Sequence, residues 1–203
     1  MRKFFVFLLF LFFLTAIHGA AGQTVPPAAA RIGSSAQKLV LPGIHNAGKV
    51  SDNLFRGAQP DLTSLAVLKN LGVTTIVDLR AESPETIRKE RAAAAALGLG
   101  FVNIPVGGFA TPTDAQMEEF FSLLRQNPAP IVFVHCEYGR DRTGTFVAAY
   151  RMAFQNWATD EALTEMMTFG FHRVWHPAME HYVQEFRARL QTTPALKSAA
   201  AAR

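Results

Sequence analysis

Residues 131–150 read "IVFVHCEYGRDRTGTFVAAY". A short apolar run rich in β-branched residues ends in a histidine and the only cysteine of the chain, followed by a loop with one glycine and a helix-forming stretch that opens near Arg142. Such a run, leading through a glycine-containing loop into a helix, is the strand-to-helix turn of an α/β sheet. Sites in these sheets form beyond the carboxyl ends of the strands, and Cys136 stands at one. The loop amides and the first turn of the helix carry N–H groups with no internal partner. If the loop curls, they converge into an anion nest. Gly139 lets the backbone turn sharply and approach a ligand closely. Arg142 adds a planar fork matched to two oxygens of a phosphate, and the same positive field favours the thiolate of Cys136. Thr143 is placed to give its hydroxyl proton to the sulfur.

A lone cysteine after an apolar strand is commonly a small buried hydrophobe, and one cysteine cannot close an internal disulfide. The spacing His, Cys, two residues, Gly, two residues, Arg, Thr weighs against that reading. Given the cysteine, ordinary residue frequencies make it a coincidence on the order of 10⁻⁵.

The rest of the chain alternates strands and helices. "VSDNLFRG" (50–57) is expected to form a first short strand, "VTTIVDLR" (73–80) and "APIVFVHC" (129–136) buried strands, and "GFVNIP" (100–105) a strand ended by proline. Helices are expected over "QPDLTSLAVLKNLG", with Asp61 or Thr63 as cap, and over "SPETIRKERAAAAALG", with Pro84 in the first turn. "TPTDAQMEEFFSLLRQNP" opens with the capping-box pair Thr113 and Gln116. Two more follow the loop helix: "TDEALTEMMTFG", capped by Thr159, and "PAMEHYVQEFRARL". This order implies an α/β domain with a central, mainly parallel sheet of four to five strands flanked by helices. Phe120, Phe121 and Leu124 make a core stripe.

Residues 1–22 combine Met1-Arg2-Lys3, an apolar run of about a dozen residues and a small-residue exit, the pattern of a secretory signal peptide. The run is shorter than the ~20 residues that span a bilayer. Export, to a periplasm or the extracellular space, is therefore expected, with membrane attachment only if the segment stays uncleaved. Residues 23–48, rich in Ala, Pro, Gly and Ser, read as a linker, 49–191 as the domain, and 192–203 as a frayed tail. The formal charge of +4 includes Arg2 and Lys3; without them 18 basic residues face 16 acidic ones, so the charge gives no reason to expect a nucleic-acid partner.

"HCEYGRDRTG" matches the signature of the cysteine-dependent protein tyrosine phosphatase superfamily. "NLFRGAQP", "VTTIVDLR", "NIPVGGFATPTDAQ" and "HCEYGRDRTGTFVAAYR" resemble small bacterial phosphatases close to the dual-specificity class. The resemblance implies a dual-specificity-like fold and hydrolysis of phosphomonoesters, with phosphotyrosine and phosphoserine or phosphothreonine as the expected classes. Cys136 would form a phosphocysteine, Arg142 would grip the phosphate, and water would release it. Neither a metal nor a cofactor is implied. Glu137, Tyr138, Gly139, Arg140 and Thr143 would line the phosphate loop. The substrate would be a phosphorylated protein or a small phosphoester, with phosphoinositides or inositol phosphates as the alternative class.

Relatives carry a general-acid aspartate some two or three positions after the proline of the "NIPVGGFATP" loop; here Gly107 and Gly108 stand there. Asp141, Asp114 and Glu118 are the candidates that remain, with Asp141 favoured. The alternatives are a salt bridge to Arg140 or Arg142 for Asp141 and a helix-terminal charge for Asp114. His135 is expected to hold a loop carbonyl. Arg80 is expected to assist substrate binding or else to pair with Glu82 or Asp78, and Arg56 to be structural. His172, Trp175, His176 and His181 read as packing and capping residues. A sulfur-transfer domain of rhodanese type and a phosphate-binding module without turnover are the competing readings. His135, Gly139 and the Arg142–Thr143 pair argue against the first, and the intact Cys136 and Arg142 against the second.

Overall fold

The computed structural model describes residues 33–201. A six-stranded sheet runs in the order β1-β2-β3-β6-β4-β5. β3 (Leu54–Ala58), β6 (Val132–Cys136), β4 (Thr75–Arg80) and β5 (Gly100–Val106) are parallel, while β1 (Gln37–Lys38) and β2 (Gly48–Ser51) add an antiparallel edge. β6 lies between β3 and β4 and is buried along its length, as an unbroken apolar run requires.

Two expectations at this edge need correction. The stretch 50–57 is two strands, because Asp52 and Asn53 turn the chain back on itself. The sheet accordingly has six strands rather than four to five. The stretch read as linker is already part of the domain in its second half, where β1 joins the sheet edge and Ile44 and Ala47 are buried in a core.

Helices cover both faces. α1 (Leu65–Asn70), entered through a 3-10 turn at Leu62–Ser64, and α2 (Pro84–Ala96) close one face through Leu65, Leu68, Ala94 and Phe133. On the other face, α3 (Asp114–Leu124), α4 (Asp141–Phe154), α5 (Thr159–Thr168), α6 (Pro177–Thr192) and α7 (Pro194–Ala200) enclose the larger core, in which Phe120 meets Phe146 edge-on at 5.3 Å. α3 begins with the expected capping box, Gln116 N donating to Thr113 Oγ1 at 3.2 Å and Thr113 N to Gln116 Oε1 at 2.8 Å. Thr159 is the first residue of α5 rather than its cap; the N–H of Ala158 before it donates to Glu161 at 3.0 Å. The tail is not frayed up to Ala200: Leu196 is fully buried against the core, and the Ala200 carbonyl accepts from Arg125. Among the described residues no helix is long and apolar enough to cross a membrane. The signal-peptide segment and the first part of the linker lie outside the described residues.

Candidate active site

β6 carries Cys136, 3% exposed, to the carboxyl end of the sheet. Alternation along the strand puts Val132, Val134 and Cys136 on the α4 side and Phe133 on the other. The loop Glu137–Arg140 then turns into α4. Its carbonyls are tied down from outside. Cys136 O lies 3.2 Å from His135 Nδ1, Glu137 O accepts from Gln59 N at 3.1 Å, and Gly139 O accepts from Arg56 Nη2 at 2.9 Å and Asn46 Nδ2 at 3.0 Å. In a planar trans peptide the N–H points opposite to the C=O. Carbonyls held outward therefore turn the following N–H groups inward, which builds the nest.

A carbonyl only accepts, so Nδ1 of His135 holds its proton and fixes the loop as expected. Its Nε2 lies 2.8 Å from Glu90 Oε1, out of line for a hydrogen bond. Gly139 has φ +66°, the sharp turn expected of it, and a Cβ there would stand 2.3 Å from the carbonyl carbon of Gly57 on β3. Thr143 Oγ1 is buried and has no hydrogen-bond partner among the described residues.

Arg142 is held in a fork by Glu82, with Nη1 to Oε2 at 3.0 Å and Nη2 to Oε1 at 2.7 Å, and Nη1 also donates to Val106 O at 3.1 Å. Burial opposes ionisation of Glu82. The hydrogen bonds from Arg142 and the backbone outweigh it and hold the carboxyl below its ordinary range. Sequence reasoning did not find this tether, since nothing in "DLRAE" says which arginine Glu82 faces.

Of the two expectations for Arg80, the structure shows the ion pair with Asp78, and the side chain does not reach the cup to bind substrate. It is 2% exposed and bound to Asp78 Oδ2 at 2.8 Å and to Glu90 Oε2 at 2.6 Å. Its place on β4 aims it into the buried cluster behind His135. Asp78, Glu90 and His135 have ligand-type atoms within 4.8 Å of one another, but the Arg80 guanidinium already occupies both carboxylates.

Over Tyr138, Arg140 and Asp141 opens a cavity of about 320 Å³, walled also by Phe109, His172, Trp175 and His176, which we take as the mouth of the site. Here the reading of the C-terminal residues as packing and capping is corrected for His172 and Trp175, which wall the cavity. His176 precedes α6 and also faces it, and His181 pairs with Glu185 on α6. Asp141 Oδ1 accepts from His172 N at 2.9 Å, and Oδ2 lies 3.5 Å from His176 Nε2. Phe109, from the loop after Gly107 and Gly108, stacks on the His176 ring at 5.1 Å. Asp114 is engaged elsewhere, by Arg189 at 2.9 Å and Thr193 at 3.3 Å. Glu118, one turn further on α3, does not line the cavity either. Tyr138 and Arg140 form the rim, with the guanidinium 5.7 Å from the ring centroid and Nη1 3.3 Å from His172 Nε2. Glu137 is exposed beside them and, through its hydrogen bond and charge, raises the Tyr138 hydroxyl above its ordinary value. On the far side of Tyr138 and Arg140 opens a groove of about 760 Å³ that includes Lys38, His45, Asn46 and His172.

Comparison with known proteins places this geometry. Residues 44–181 match the family described as a DSP-PTPase phosphatase fused to NAD+ kinase. The dual specificity protein phosphatase TpbA of Pseudomonas aeruginosa is 36% identical over 133 residues, which is 62% of this chain and 55% of TpbA. The chain thus spans about half the length of that curated relative. A crystal structure of TpbA, 28% identical, superposes with a TM-score of 0.62 over 82% of this chain and 99% of that one. A cysteine-to-serine variant of TpbA has been solved in complex with phosphotyrosine. The catalytic core of the PP-IP phosphatase SIW14 from S. cerevisiae, 16% identical, shares the fold, with a TM-score of 0.64 over 79% of this chain and 97% of that one.

Proposed function

The chain belongs to this dual-specificity-type family of cysteine phosphatases, and from that premise we propose that it hydrolyses phosphomonoesters, phosphotyrosine first among them, through a phosphocysteine. The observation that carries the reading is the pinning of the Cys136, Glu137 and Gly139 carbonyls by neighbouring groups, from which peptide planarity turns the following N–H groups toward the space above Cys136. The sulfur attacks phosphorus in line. The S–P bond forms as the P–O bond to the leaving group breaks, and the leaving oxygen takes a proton. Nest amides and the Arg142 fork stabilise the equatorial oxygens, where charge builds. Water then attacks phosphorus, the S–P bond breaks, and inorganic phosphate leaves. The buried Thr143 hydroxyl supplies a hydrogen bond to the departing sulfur.

Asp141 serves as the proton-transfer carboxylate, in place of the aspartate that Gly107 and Gly108 replace. It stands at the mouth, and His172 N–H fixes its orientation. Export remains part of the proposal, on the strength of the N-terminal pattern; fractionation of cells expressing the full chain tests it.

A second substrate class has its own support. The groove past Tyr138 offers Lys38, His45, Arg140 and His172 against one carboxylate, Glu137, which suits a small molecule with several phosphates. The deciding experiment measures phosphate release from phosphotyrosine and phosphoserine peptides, phosphoinositides and inositol phosphates, with Cys136→Ser as control. Background release from all of them would favour the binding module.

A further inference from the structure

Arg56 is a buried charge that the steps above do not use. Its side chain is 0% exposed. It rises from β3 two residues before Ala58, the register partner of Cys136. Nη2 donates to Gly139 O at 2.9 Å, and the guanidinium lies 4.0 Å from the centroid of the Phe169 ring. Nε and Nη1 have no hydrogen-bond partner among the described residues, and no described carboxylate lies within ion-pair distance. Glu165, the nearest acidic influence, gives both oxygens to Arg151, at 3.0 and 2.7 Å. Burial pushes the guanidinium down to about 10, so it remains a cation at any pH at which the enzyme would work.

An unneutralised cation inside a protein is costly unless an anion compensates it. A clip for one carbonyl does not require a charge, and the neighbouring Asn46 already makes that bond without one. Two anions act on Arg56, Glu165 and the sulfur of Cys136; Glu165 is already bound by Arg151, which leaves the sulfur and whatever oxyanion the nest holds.

We propose that Arg56 is a second active-site cation, a positioning residue beneath the phosphate loop whose charge stabilises the anionic sulfur of Cys136 and the bound phosphate. The proposal deepens the phosphatase reading and rests on it. The other groups that set the charge there are His135 and Asp78 from the sheet, Lys38 over the same Phe169 ring, Glu137 and Arg140 in the loop, Asp141, Arg142 and Arg151 on α4, Glu165 on α5, and Glu82 beside Arg142.

The test separates charge from hydrogen bonding. Arg56→Gln keeps an amide donor for Gly139 O and loses the charge; Arg56→Lys keeps the charge and loses the fork. The readout is the pH profile of iodoacetamide alkylation of Cys136, with circular dichroism confirming the fold. In the Gln variant the profile should move up by about one pH unit, which is about tenfold slower alkylation on its acid limb. In the Lys variant it should stay near wild type. A Gln profile superimposable on wild type, or Gln and Lys displaced alike, would overturn the proposal. If the Gln variant does not fold, wild-type protein gives the answer by NMR. The Arg56 Nε–H resonance should titrate with the alkylation profile and stay flat in Cys136→Ser; a flat wild-type resonance contradicts it. Wild-type turnover at background sinks the phosphatase reading instead, whatever the alkylation shows.

Discussion

Arg142 and Glu82, 60 residues apart, form a two-pronged ion pair across the top of the sheet, at 3.0 and 2.7 Å. The pair sets the direction of the guanidinium before any phosphate arrives. Preorganised donors cost no reorganisation during the reaction. Glu82→Gln keeps the side-chain shape and removes the charge. It should lower kcat/KM for aryl phosphates by about tenfold to a hundredfold, mostly through KM. Stability at neutral pH should change by less than about 1 kcal/mol, because Glu82 is partly exposed. Unchanged steady-state kinetics would show that Arg142 needs no tether.

The same pair carries a pH signature. A carboxyl lowered on folding adds stability that is fully present above its ordinary value, 4.5, and is lost as pH falls through the lower folded value. The stability advantage of wild type over Glu82→Gln should therefore be constant above 4.5 and shrink as the pH is taken below it. Urea unfolding of both proteins across that range measures it; a gap that does not close with acid contradicts the linkage.

Asp141→Asn bears on the missing loop aspartate. Loss of a proton donor matters most when the leaving oxygen is strongly basic. An alkyl phosphate should slow by about 10²- to 10⁴-fold, while an activated aryl phosphate should change by only a few-fold. Equal losses on both would mean that the substitution disturbs the His172 and His176 contacts and not the proton transfer.

Much of this was legible in the chain. Cys136, Arg142 and Gly139 lie within seven consecutive residues, so a strand, a loop and a helix start suffice to bring them together. β4 and β6 also announced themselves, because each opens as a buried, β-branched run. What stayed hidden depends on distance along the chain. Glu82 to Arg142, Asn46 and Arg56 to Gly139, and His172 to Asp141 join elements 31 to 93 residues apart. Arg80 was legible in part: its pairing with Asp78, two residues away on the same strand, was one of the two expectations, but its second partner Glu90 sits on α2, and no local pattern points there. The tail was misread because alanine-rich polar sequence looks frayed until Leu196 is seen to fill the core beside α3.

Leu196→Ala tests that last point. A fully buried leucine cut to alanine should cost about 2–5 kcal/mol, read from urea unfolding, with KM for an aryl phosphate unchanged because no residue of α7 lines the cavity. A cost near zero would mean that the tail does not pack in solution.

Gly139→Ala tests the contact between the loop and β3. The residue holds φ +66°, and a methyl group would meet the Gly57 carbonyl carbon at 2.3 Å. Strain of about 1–3 kcal/mol comes from the backbone alone, and relief of the clash must displace the loop. Turnover should fall at least about tenfold even in the folded fraction. Full activity would show that the loop need not touch β3.

The central claim is a covalent bond between phosphorus and the sulfur of Cys136. Rapid acid quench during turnover of a phosphotyrosine peptide, followed by mass spectrometry, reads it directly. One phosphate should appear on the peptide that carries Cys136 and be absent from Cys136→Ser, which should also release no phosphate. Turnover that continues in Cys136→Ser, or phosphate trapped on any other residue, contradicts it.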